Sequence, residues 1–122
     1  MKKLVVSALV GLSAFSFNAV AHGPNKAQHG GVVQAAGDLS FELVSKGDTA
    51  TLYVVDHDAP ADVSKMSGKL TVLNGTEKSE AALTPAGGNK LEAATMLGKG
   101  SKAVATVNVP GGKAITVRFA VK

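Results

Sequence analysis

The 122-residue chain has no cysteine, no tryptophan, a single tyrosine and very few aromatic residues of any kind. Without cysteine there can be no disulfide, thiolate metal centre, thiol nucleophile or thiol-linked lipid. Arg118 is the single arginine, and the lysines are spread singly along the sequence. Nucleic-acid binders cluster basic residues and interleave aromatic rings; no nucleic-acid partner is expected here. The signature strings G-x-S-x-G, H-E-x-x-H and the phosphate-binding loop are also missing, so no enzyme is expected. A copper oxidase built on a histidine brace is disfavoured by the short chain and the lack of aromatic side chains for a substrate platform. The apolar run from Leu4 to Phe17 is broken by serines and Gly11, and is shorter than the roughly 20 residues a spanning helix needs.

What is present begins with an address. Lys2 and Lys3 precede that apolar run, and Ala19-Val20-Ala21 closes it with small residues where a signal peptidase reads. The pattern is that of a cleavable secretory signal over residues 1–21. Its brevity points to a bacterial periplasm, with no membrane insertion after cleavage. Taking 21 residues from 122 leaves 101, beginning at His22, enough for one domain. Taking the two leader lysines from 13 basic residues leaves 11 against 9 acids, a charge of about +2. The expected organisation is a flexible arm over 22–31, then one domain over 32–122, as a monomer.

Past residue 31 the apolar period is two. Leu39, Phe41 and Leu43 alternate with Ser40 and Glu42; Ile115, Val117, Phe119 and Val121 alternate with Thr116, Arg118 and Ala120. Such alternation marks strands with one face in a core. The run Thr49–Val55 is apolar on both faces towards its end, which predicts a central strand. Lys46-Gly47-Asp48 and Asn74-Gly75 are hairpin signals, the latter joining 69–73 to 78–84; Pro85–Asn89 and Pro110–Gly112 mark further reversals. The chain is expected to be all-β: an immunoglobulin-like β-sandwich of seven or eight short antiparallel strands. Two connections, Asp56–Gly68 and Ala93–Ser101, are longer than hairpins need, and long loops are often functional. Glu42 and Arg118, facing outward, are expected to be solvated or paired across strands.

The three histidines are His22, His29 and His57, and none lies inside an expected strand. If His22 starts the mature chain, its free amine and Nδ1 can close a six-membered chelate ring on one metal ion. Nitrogen-rich sets of this kind favour divalent copper. An α-amine titrates near 8 and an imidazole near 6.5, so capture at neutral pH should weaken in mild acid. His29, beside Gly30 and Gly31, and His57, at the start of the long loop, are the candidate partners. Asp56 and Asp58 are the candidate carboxylates. In an extended strand the two aspartates and His57 would point to opposite sides, so His57 is expected to act with at most one of them. Each aspartate also suits a turn through its backbone hydrogen bonds. Met66 and Met96 offer thioethers to Cu(I), although methionines in such places more often pack.

The strings "HGGVVQAAGDLSFELV" (His29–Val44), "TLYVVDHDAPADVSKMSGKLTVLNG" (Thr51–Gly75) and "PAGGN" (Pro85–Asn89) resemble a group of small exported bacterial proteins, largely of unassigned function. Over the first two strands the chain is also similar to the start of periplasmic adaptor subunits of heavy-metal efflux pumps. The resemblance implies a periplasmic β-sandwich that handles metal ions. Periplasmic copper carriers also begin their mature chains with histidine, although their other motifs have no match here. The expected function is therefore a periplasmic carrier or buffer for copper or another divalent transition metal. Its expected ligands are His22, His29, His57, Asp56 and Asp58, and its expected partner is a metal-efflux component. The alternative is a ligand-free interaction module that docks on a partner protein through its strand edges.

Overall fold

Alternating side chains commit a strand to two faces, and a turn that reverses the chain lets the apolar faces meet. The computed structural model, which describes residues 26–122, forms nine strands in this way. They are β1 (Val32–Ala36), β2 (Leu39–Lys46), β3 (Thr49–Asp56), β4 (Ala59–Pro60), β5 (Ser67–Asn74), β6 (Glu77–Pro85), β7 (Lys90–Ala93), β8 (Lys102–Val109) and β9 (Lys113–Ala120). Every pairing is antiparallel. The path runs β1-β2-β3-β7-β6-β5-β8-β9, with β4 attached to β3. β6 belongs to both layers: it pairs with β5 over most of its length and then meets β7 through Thr84 and Pro85. One continuous sheet thus folds over on itself, and β1 comes to lie against β9.

The enclosed core is mostly aliphatic, with two phenylalanines. Phe41, Leu52, Val54, Leu70, Leu83, Leu91 and Val107 are fully buried, and Val117 and Phe119 close it from β9. Burying a side chain of this size contributes about 1.5–3 kcal/mol, so seven such residues can hold a small sandwich without disulfides. Met66 joins this core, which removes its sulfur from any ion at the surface.

The all-β sandwich expected from the periodicity is present, with nine strands rather than seven or eight. Three differences follow from turns. The Gly37-Asp38 turn pairs Ala36 with Leu39 and creates β1. His57 and Asp58 form a tight reversal that starts β4 inside the expected 56–68 loop. Asn74 is not in its turn: it ends β5 opposite Glu77, and Gly75 takes the first central place with φ of +68°. Residues 94–101 contain no strand, as expected. The signal over 1–21, His22, and the rest of the arm as far as Asn25 lie outside the described residues.

Candidate functional site

The site is built on the outer face of β2 and β3. Register places Val33, Glu42 and Tyr53 side by side on neighbouring strands. An acid in that position would ordinarily face water. Here it is 6% exposed, because residues 28–31 fold across it. The two carboxylate oxygens accept four hydrogen bonds: from the backbone N–H groups of Gln28 at 3.0 Å, His29 at 2.8 Å and Gly31 at 2.8 Å, and from the His29 ring at 3.1 Å. Burial pushes the Glu42 carboxyl up, but the donors together outweigh it and hold the group below the ordinary glutamate value. The arm expected over 22–31 is therefore tied to the sheet at its described end, and Glu42 is neither solvated nor cross-strand paired.

The two glycines after His29 make the crossing possible. Gly30 has φ of +77°, a conformation that L side chains rarely adopt. A Cβ on Gly31 would stand 2.2 Å from the Leu43 carbonyl oxygen, so no side chain fits. His29 is delivered flat onto Tyr53, with ring centroids 3.7 Å apart and planes 1° from parallel. An ionised carboxylate can only accept, so the proton on this imidazole is assigned to Nδ1. That leaves the Nε2 lone pair of the neutral ring directed away from Glu42. A histidine held by a carboxylate at one nitrogen and open at the other is the arrangement that orients metal-binding imidazoles.

Beside this stack lies a cleft of about 290 Å³, whose walls include His29, Tyr53, Val55, Asp58, Pro60 and Asn89. Asp58 reaches it because the chain reverses at residues 57 and 58, which have φ of +50° and +70°. The same reversal sends His57 elsewhere. Its Nδ1 meets Asp56 at 2.8 Å and its Nε2 lies 3.5 Å from Asp38, where the tips of the β1–β2 and β3–β4 hairpins adjoin. The His57 side chain is 72% exposed there, in a second depression also lined by Lys113 and Ile115.

The five expected ligands thus divide. His29 and Asp58 share one cleft, His57 and Asp56 share another with Asp38, and His22 lies outside the described residues. Among the described residues, no three histidine or acidic side chains converge so as to hold one ion. Of the two aspartates expected beside His57, Asp56 is its neighbour and Asp58 is turned to the other cleft. The sequence reading missed Glu42 and Tyr53. One available signal was an acid placed between Phe41 and Leu43, in the apolar middle of the strand. Nothing local showed that an N–H-rich glycine turn would cover it.

No family model and no curated protein matches the chain. A solved structure with some likeness is the bromine derivative of BhCBM56, at 14% identity and a TM-score of 0.45 over 74% of this chain and 99% of that one. A likeness of that size carries no argument about ligand or mechanism.

Proposed function

We propose that this protein captures and releases a divalent transition-metal ion, copper foremost, as a periplasmic carrier or buffer linked to metal efflux. The observation that supports this reading is the His29 imidazole, fixed by Glu42 at Nδ1 and by Tyr53 across its face, with Nε2 on the side of the ring away from Glu42. Asp58 lines the same cleft and is the carboxylate assigned to the ion. The remaining nitrogens are assigned to the amine and ring of His22, on the chemistry argued from the sequence. His57 is not a ligand in this reading, because Asp56 and Asp38 flank its two nitrogens.

The test is a titration of the processed protein with Cu(II), following the visible d–d band. Uptake of one equivalent is expected. His29→Ala should abolish it, and His57→Ala should leave it unchanged. Glu42→Gln should weaken it about 10- to 100-fold, the usual effect of removing a carboxylate behind a metal-bound histidine. An unchanged spectrum at equimolar copper, or loss through His57→Ala instead of His29→Ala, overturns the reading.

A further inference from the structure

The lysines that are scattered in the sequence are gathered by strand register. Leu73 on β5 stands between Lys78 on β6 and Lys102 on β8. One row along, Glu80 and Arg118 lie in the row through Thr71 and Val104, with Lys69 in the next row. These positions alternate with buried Leu70, Val72, Ala103, Ala105, Val117 and Phe119, so they share the outer face of the β6-β5-β8-β9 layer. Two ion pairs confirm the arrangement: Glu80 meets Lys69 at 3.5 Å and Lys78 at 3.7 Å. Glu80 is the single acid in these rows, against four cations. Lys102 and Arg118 have no acidic partner among the described residues. Leu73 is 40% exposed amid these charges.

We infer that this face is a docking surface for an acidic polypeptide. The excess of three positive charges calls for a negative partner, since complementary charge steers association and fixes orientation. The uncovered leucine decides which kind. A polyanion such as a sulfated sugar chain brings nothing apolar to meet it. A bilayer could, but three net charges raise membrane partitioning only about a hundred-fold, less than the marginal hold of one acyl chain. A polypeptide with an apolar residue inside an acidic rim satisfies both features. This inference does not depend on metal capture.

The experiment is fluorescence anisotropy with labelled synthetic peptides in the presence of a chelator. The repeat Glu-Leu-Glu-Ser is compared with Glu-Ser-Glu-Ser, and both with heparin and phosphatidylglycerol vesicles. The leucine peptide should bind several-fold more tightly than the serine peptide, and Leu73→Ser should erase that preference. The pair Lys102→Glu with Arg118→Glu should lower its affinity at least about ten-fold. The pair Lys46→Glu with Lys65→Glu changes net charge equally and should have far less effect. Circular dichroism checks that each variant folds. Equal losses from both pairs, no binding of either peptide, or tighter Lys102- and Arg118-dependent binding of heparin or vesicles overturns the inference.

Discussion

Replacing Glu42 by glutamine tests the latch that holds His29. The carboxylate accepts four hydrogen bonds at 2.8–3.1 Å from groups that can only donate to it. Glutamine keeps one accepting oxygen and turns an N–H₂ group towards donors. At least two charge-assisted bonds are lost, each worth about 1.5–3 kcal/mol when taken alone. The freed N–H groups recover part of this by reaching water as the segment lifts, so the expected net loss is about 2–3 kcal/mol. For a domain of this size that lowers Tm by roughly 10–15 °C. Urea unfolding at pH 7 gives the energy. Emission from Tyr53, the chain's one tyrosine, reports release of the stacked ring. The pH dependence has a definite sign. A carboxyl held below its ordinary value of 4.5 stabilises the fold fully above that pH and loses its contribution as pH falls through the lower folded value. The difference between wild type and Glu42→Gln should therefore shrink as pH drops below 4.5. A difference under about 0.5 kcal/mol at pH 7, the level of an ordinary surface change, would refute the latch. So would a difference that does not change with pH.

Gly31→Ala should cost about 2–3 kcal/mol in urea unfolding, because its Cβ would stand 2.2 Å from a strand carbonyl that cannot move without breaking β-pairing. Thr51→Val should be neutral or stabilise by about 1 kcal/mol, since the Thr51 hydroxyl is fully buried with no hydrogen-bond partner among the described residues; a loss above about 1 kcal/mol would show that the hydroxyl is satisfied after all. Asp58→Gly should relieve a residue at φ of +70° and raise stability by up to about 1 kcal/mol, while weakening copper uptake several-fold in the d–d titration. Loss of both stability and uptake would mean that Asp58 supports the turn rather than the ion.

The strands were legible because their signal is local. Leu39, Phe41 and Leu43 alternate, and so do Val117 and Phe119, and each run forms a strand with its apolar side in the core. Turns were legible where glycine supplied the reversal, as at Gly47 and Gly75. The His57-Asp58 reversal was legible only in part: Asp56 and Asp58 suit a turn, but neither central residue is glycine or asparagine, and the pairing of Asp56 with Ala59 that pulls both into positive φ has no local signal. β1 was missed for a related reason. Val32–Ala36 has no clean alternation, and its pairing with β2 supplies what its own sequence does not.

The site shows where local reading ends. Alternation correctly placed Glu42 opposite the core, and from there it is a short step to call it solvated; Tyr53, in a run apolar on both faces, carried no such assignment. What reverses that conclusion is a segment 11–14 residues earlier in the chain, folded back over both. The strings that carry the resemblance become intelligible in that light. The histidine and two glycines after residue 28, the acid of the E-L-V strand and the tyrosine of the L-Y-V strand are parts of one latch. Packing accounts for most of these residues: Gly30 and Gly31 for the crossing, Glu42 for the donors, Tyr53 for the ring it supports. The two aspartates of the D-H-D string divide across their turn, Asp56 to the hairpin tips and Asp58 to the cleft. Packing leaves two residues at that cleft without a full account: His29, whose Nε2 has no hydrogen bond among the described residues, and Asp58. In the proposed reading, ion capture by the described residues starts from that pair. Variants of His57 alone are therefore a poor probe of it.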